Sequence, residues 1–216
     1  MTAINRRSQG AAALLLLTVA LSAIACRDEP APPIVTGPAP DSFRVAFETN
    51  RGNFVVAVNR SWAPNGADRF YQLAASHFFD EQRFFRVLSG YIAQFGASGD
   101  PKVNELWEGK KIPDDPRREK NVRGTISFAS DGPGSRTHQL FVNLKDNPKL
   151  DAQDFVPIGR VVEGMSMLDS LNDDYGESPK YHLIATLGNS YLRRMFPKLD
   201  YIKTARVVGD SAVASR

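Results

Sequence analysis

One arginine set among aromatic residues, Phe84-Phe85-Arg86-Val87-Leu88-Ser89-Gly90-Tyr91-Ile92-Ala93-Gln94, opens the part of this chain best equipped for chemistry. A second stretch, Phe128-Ala129-Ser130-Asp131-Gly132-Pro133, runs on to Gln139-Leu140-Phe141. Together they offer a guanidinium, two primary amides and several large apolar groups. Those are hydrogen-bonding and apolar contacts for a neutral partner, with no nucleophile among them. Other chemistries lack their parts. His77, His138 and His182 have no paired ligand spacing, so no zinc site and no other metal is expected. No Gly-x-Ser-x-Gly segment or cysteine–histidine pairing supports a hydrolase. Gly132-Pro133-Gly134 lacks the lysine and the spacing of a phosphate loop and reads as a turn. The basic stretch 110–123 also carries Asp114, Asp115 and Glu119, which describes a solvated loop rather than an anion site.

These side chains need elements to hold them. If 84–88 is a strand, Arg86 faces away from Phe85 and Val87, which then belong to the core. Read singly, Arg86 is a surface arginine, Ile92 and Phe141 are core, and Gln94 and Gln139 are polar contacts at turns or edges. The linked pattern of Arg86, Tyr91, Ile92 and Gln94, with Gly90 permitting close approach of the chain, marks them as a set. Upstream, Phe43, Val45 and Phe47 alternate, a turn follows at 50–53, and Phe54, Val56 and Val58 alternate again, predicting an opening β-hairpin. Pro64 suits a first helical turn, and Ala67, Phe70, Leu73, Ala74 and His77 continue at helical spacing for about three turns. Short apolar runs at 84–88, 91–95, 125–129, 140–144 and 155–162 predict further strands. A second helix is expected near 165–171. The segment 172–200 is less regular, with a short helix near 189–195 ended by Pro197, and 201–208 reads as a last strand able to pair with the first and close a barrel. Many short strands with a helix near each end suggest a closed antiparallel barrel. Its large residues, among them Phe43, Phe47, Phe54 and Phe128, predict a filled interior, which argues against a carrier of small apolar molecules.

At 216 residues the chain suits one domain, or one domain plus an accessory segment. Its formal charge of +3 and pI of about 9.0 raise the possibility of a polyanionic partner. Residues 1–25 weaken that reading. Arg6 and Arg7 followed by the uncharged stretch 10–25 describe a secretory signal peptide, too short for a comfortable membrane span. Removing it takes two basic and no acidic residues, leaving 25 against 24, a charge of +1, and no reason to expect nucleic acid. Ala23-Ile24-Ala25-Cys26 is similar to a bacterial lipobox, which makes Cys26, the sole cysteine, the expected site of lipidation. The alternative is ordinary cleavage near Ala25, leaving a free thiol. Residues 26–41, with Pro30, Pro32, Pro33, Pro38 and Pro40, read as an extended tether reaching roughly 45 Å. The domain is then expected at 42–209, with a flexible tail at 210–216.

From about 43 to 208 the chain resembles the cyclophilins, the peptidyl-prolyl cis-trans isomerases, and within them the bacterial envelope branch. The two opening stretches carry the resemblance, supported by Ala63-Pro64-Asn65, Leu150-Asp151-Ala152-Gln153 and Ile158-Gly159-Arg160-Val161-Val162-Glu163-Gly164-Met165. The resemblance implies a mainly β fold, a closed eight-stranded antiparallel β-barrel capped by two helices. It implies isomerisation of X-Pro bonds in exported proteins without a cofactor. Arg86 is then the catalytic arginine, and Gln94 fixes the substrate carbonyl. Ala129 and Ser130 offer backbone hydrogen bonds, while Tyr91, Ile92 and Phe141 form the slot for the proline ring. Gln139 supports the arginine side, and Phe155 stands on the pocket wall at a position where the family has histidine. Phe85 also replaces a frequent histidine, Phe95 the first glycine of a pair, Tyr91 a phenylalanine and Ser130 an asparagine. These departures keep open a non-catalytic peptide-binding or chaperone module on the same fold. The implied setting is a monomer held by a lipid at a bacterial envelope membrane, facing the periplasm or exterior, with proline-containing polypeptides as partners.

Overall fold

The computed structural model describes residues 33–209. The expected signal peptide, Cys26, the first part of the tether and the tail at 210–216 lie outside them. The described chain forms a first strand β1 (Ser42–Thr49), then β2 (Asn53–Asn59), a 3-10 turn (Arg60–Trp62) and α1 (Pro64–Ala75). Next come β3 (Arg86–Leu88), β4 (Ile92–Phe95), α2 (Pro101–Trp107), β5 (Thr125–Phe128), β6 (Leu140–Asn143) and α3 (Pro148–Ala152). The chain finishes with β7 (Pro157–Glu163), α4 (Met165–Asp169), α5 (Tyr181–Met195) and β8 (Ile202–Val208).

All eight strands join one antiparallel sheet in the order β3-β4-β6-β5-β7-β2-β1-β8. The opening hairpin forms as its alternation predicts, with Phe43, Val45 and Phe47 buried and the turn held by the Thr49 N–H donating to Gly52 O at 3.0 Å. β8 pairs with β1, but the ladder ends there. The sheet is a curled half-barrel with β3 and β8 at its ends, not the closed barrel expected. Among the described residues an isolated bridge, Arg83 to Tyr201, crosses the seam just outside the two strands, with the Phe84 N–H donating to Asp200 O at 3.0 Å and the Ile202 N–H to Gln82 O at 2.8 Å. These contacts lie ahead of β3 rather than on it, so its residues do not extend the β8 ladder. Among the described residues there are five α-helices, where two capping helices and a short one near 189–195 were expected. The segment 172–200 contains the longest, α5, whose backbone breaks at Gly188.

The concave side is filled by phenylalanines. Phe47 stacks on Phe54 with centroids 4.4 Å apart and meets Phe95 edge-on at 5.8 Å, while Phe79 and Phe84 pack onto Phe95 at 5.6 Å. Phe95, the residue in the place of a family glycine, is thus a core residue with no exposed surface. α1 lays Ala67, Phe70, Leu73 and Ala74 on this core, and ends before His77, which lies exposed with positive φ. Its first-turn N–H groups at Asn65 and Gly66 donate to the Asp115 carboxylate, both at 2.9 Å, which suits the positive end of a helix.

Residues 33–41, expected as free tether, instead run along α1. The Val35 N–H donates to Ser76 Oγ at 2.7 Å, the Ala39 N–H to Asp68 Oδ1 at 2.8 Å, and Ala39 is buried in the core. The packed domain therefore begins ahead of β1. Proline excludes regular ladders there, but it leaves the neighbouring N–H groups free to bond to side chains.

Candidate active site

The β3–β4 hairpin sets Arg86 directly opposite Gln94, and the β4–β6 pairing sets Gln94 opposite Phe141 and Ile92 opposite Asn143. Directly paired residues share a face. Ile92, Gln94 and Phe141 therefore face outward from the core, while Ala93, Phe95, Leu140 and Val142 point into it. The hairpin turns at Gly90, whose φ of 61° suits glycine and whose absent Cβ would touch nothing. Its need is for the turn, not for the close approach the sequence suggested.

All nine residues expected in the site line one cavity of about 330 Å³: Arg86, Tyr91, Ile92, Gln94, Ala129, Ser130, Gln139, Phe141 and Phe155. Its apolar side is a small cluster of Ile92, Phe141 and Leu150 with Tyr91, Ala129 and Phe155 packed against it. Phe141 meets Phe155 edge-on, centroids 5.4 Å apart. Its polar side is a hydrogen-bonded chain. Arg86 Nη1 donates to Gln94 Oε1 at 3.2 Å, and Gln94 Nε2 donates to Gln139 Oε1 at 3.0 Å. The loop between β5 and β6 closes at its base by the Ala129 N–H donating to Gln139 O at 2.9 Å. Ala129 and Ser130 line the cavity beside that bond.

Several contributors are not among the expected site residues. Asn121 donates to Asp151 Oδ1 and to Phe155 O, both at 2.8 Å, tying the wall residue Phe155 in place. Asn147 donates to Tyr91 O at 3.0 Å and to Asn143 Oδ1 at 2.8 Å, so one asparagine network supports both sides of the slot. Leu150, Asp131, Ser135, Thr137 and Gln153 also line the cavity. Most unexpected is Glu177, whose carboxylate accepts from Arg86 Nε at 2.7 Å and also contacts Arg86 Nη2. Ninety-one residues separate the pair, beyond the reach of any local pattern.

Behind the chain, the buried imidazole of His138 places Nδ1 2.6 Å from Gly96 O and Nε2 3.2 Å from the Tyr181 hydroxyl. A carbonyl partner assigns the proton to Nδ1. Burial pushes the His138 pKa down, against the opposing pull of Gly96 O and Glu108, so the ring is neutral near pH 7. Burial first, and the Glu108 carboxylate next, push the Tyr181 hydroxyl up. Neither group is poised to exchange protons in the cavity. Among the described residues no cluster of three metal-ligating side chains occurs, and no helix is long and apolar enough to cross a membrane.

The outer face of the half-barrel thus carries an arginine–amide chain beside an apolar slot. The comparisons make the class specific. The family profile described as cyclophilin type peptidyl-prolyl cis-trans isomerase/CLD matches residues 44–187, and the chain belongs to that family of isomerases. Peptidyl-prolyl cis-trans isomerase-like 3 of Homo sapiens is 31% identical over 134 residues, covering 59% of this chain and 80% of the relative. Peptidyl-prolyl cis-trans isomerase-like 1 of Aspergillus oryzae is 30% identical over 130 residues, with the same coverage. Among solved structures, a cyclophilin-type isomerase of Cryptosporidium parvum superposes with a TM-score of 0.61 at 22% identity, covering 78% of this chain and 99% of its own. The same protein crystallised in the presence of the dipeptide Ala-Pro gives 0.59, again at 22% identity, covering 77% and 99%.

Proposed function

We propose that this chain isomerises X-Pro bonds in exported proteins, with Arg86 as the catalytic residue. The observation that carries the reading is the alignment of the Arg86–Gln94–Gln139 chain along one side of the slot formed by Ile92, Phe141 and Leu150. Rotation about an X-Pro amide must break its resonance, against a barrier of about 18–20 kcal/mol. At the twisted state the prolyl nitrogen becomes pyramidal and gains a lone pair. A guanidinium N–H aimed at that nitrogen donates a bond that the planar ground state cannot accept, so it stabilises only the transition state. The apolar slot takes the ring, and Gln94 holds the preceding carbonyl. Ala129 and Ser130 align the backbone. No covalent intermediate and no cofactor enter. The Ala-Pro dipeptide named with the C. parvum structure supports a proline-containing peptide as the ligand.

The proposed setting is a bacterial envelope membrane, reached through the signal peptide and held by acylated Cys26, with the domain facing the periplasm or exterior as a monomer. Mass spectrometry of the mature N-terminus tests the anchor, since a free Cys26 thiol or cleavage elsewhere refutes it. The reaction is tested with the purified full-length chain and a proline peptide in a coupled isomerisation assay. Arg86→Ala is expected to lower kcat/KM about 100-fold or more, as loss of one preorganised transition-state donor does elsewhere. Turnover equal to wild type would refute the assignment. Peptide binding with no turnover in the wild type would favour the peptide-binding module instead.

A further inference from the structure

The segment between α4 and β8 reaches the arginine end of the site's polar chain. There the Glu177 carboxylate accepts from Arg86 Nε and Nη2. Four groups are thereby joined in series: Glu177, Arg86, Gln94 and Gln139. Glu177 is the open end, 62% exposed, against 28% for Arg86.

The geometry of the guanidinium decides what this pairing does. Of its five N–H groups, Glu177 takes Nε–H and one on Nη2, and Gln94 takes one on Nη1. One N–H remains on each of Nη1 and Nη2 after these contacts. The carboxylate therefore occupies the lateral edge and leaves donors at the end of the fork. A long side chain with four rotatable bonds is held at both edges before any peptide arrives. Ordering done in advance need not be repeated at each turnover. An exposed ion pair contributes little to folding, so holding the arginine is the larger consequence of this contact.

We propose that Glu177 is a positioning residue for catalysis: it fixes the Arg86 guanidinium so that the Nη donors face the peptide. This rests on the proposed isomerase reading of Arg86. Glu177 touches the arginine and not the slot, so its loss acts on kcat and leaves KM unchanged. The test compares the full-length wild type with Glu177→Ala, Glu177→Gln and Arg86→Ala in the coupled isomerisation assay at low and high salt. Glu177→Ala is expected to lower kcat about two- to five-fold, the range an exposed ion pair supports. KM should not change. Glu177→Gln, whose amide oxygen accepts at the same place, should recover at least half of the loss. About 1 M NaCl, where the Debye length falls to roughly 3 Å, should lower wild-type kcat toward the Glu177→Ala value and leave that variant unmoved. If Arg86→Ala turns over like wild type, the isomerase reading itself fails. If Arg86→Ala is crippled and Glu177→Ala matches or exceeds wild-type kcat, or raises KM instead, the positioning role alone is overturned. The second result would mark Glu177 as a brake that peptide must displace.

Discussion

Gly188→Ala should destabilise the domain far more than one methyl group suggests. Gly188 interrupts α5 with φ 56° and ψ −144°, a conformation open to glycine and strained for other residues by about 1–3 kcal/mol. Space compounds the cost. A Cβ built there would stand 2.1 Å from Gly99 O and 2.9 Å from both Gly99 C and Pro101 Cδ. Two of those atoms are backbone and cannot swing aside. Relief requires α5 to lift from the chain leading into α2, which breaks the bond from the Asn189 N–H to Gly99 O, now 2.8 Å. A backbone bond lost there adds about 0.5–1.5 kcal/mol. The alanine stiffens the unfolded chain and returns about 0.4–1 kcal/mol. Taking the middle of each range, the balance is a loss of about 2 kcal/mol. At about 2–4 °C per kcal/mol for a domain of this size, Tm should fall by roughly 4–8 °C in calorimetry. Gly90→Ala supplies the control, since its φ of 61° is similar but its Cβ meets nothing within 4 Å. That variant should lose only the conformational part, about 1–2 kcal/mol. Equal Tm shifts in the two variants, or a Gly188→Ala shift under about 2 °C, would show that overlap with Gly99 does not hold α5 in place.

Two further outcomes follow from the site. Phe141→Ala removes a buried ring from the slot floor and should cost about 3 kcal/mol of stability, with peptide Kd raised about tenfold or more by nuclear magnetic resonance titration; unchanged Kd would detach the proline ring from this slot. His138 is buried with its pKa pushed below the ordinary value near 6.5, so the unfolded chain binds its proton more readily than the folded one. Its contribution is therefore complete above about pH 6.5 and declines as pH falls from there toward the folded pKa. Tm against pH should slope downward more steeply below 6.5 in wild type than in His138→Gln, and parallel curves would refute the contribution.

Where a signal was local, the sequence carried it. Period-two alternation placed Phe43, Val45 and Phe47 in the core, and Pro64 with its apolar stripe placed α1. The site was legible for the same reason, since two short linear segments and Phe155 supply the nine expected residues that line the cavity. Failures fall where structure depends on distant partners or on broken periodicity. In α5 the buried Ile184, Gly188, Tyr191 and Leu192 keep helical spacing, but the stripe carries a glycine with non-helical backbone at its middle, so the sequence suggested only a short helix near 189–195. α2 announces itself only by Asp100 and Pro101, a capping pair on seven residues with Asn104 and Trp107 buried, too short for a period to emerge. An open seam is invisible for another reason: alternation predicts that β8 pairs but not with how many neighbours.

The unusual residues of the site and the irregular segment explain one another. Phe85, in a place where histidine is frequent in the family, is 4% exposed and packs with Ala97, Ile184, Tyr191, Leu192 and Leu199 in an apolar cluster separate from the main core. A protonatable ring there would face the same burial cost that depresses His138. α5 and its flanks meet the stretch leading into β3 at further points. Asn189 accepts from Arg83 and donates to Glu81 O at 3.0 Å, and Glu177 takes Arg86. β3 is an end strand of an open sheet, and end strands left uncovered fray or pair elsewhere. Covering its approach with an apolar helix, through Phe85, steadies the backbone one residue before Arg86. Glu177 then steadies the other end of the same side chain. The same segment that departs from the regular pattern of the chain thus grips the arginine at both its backbone and its guanidinium.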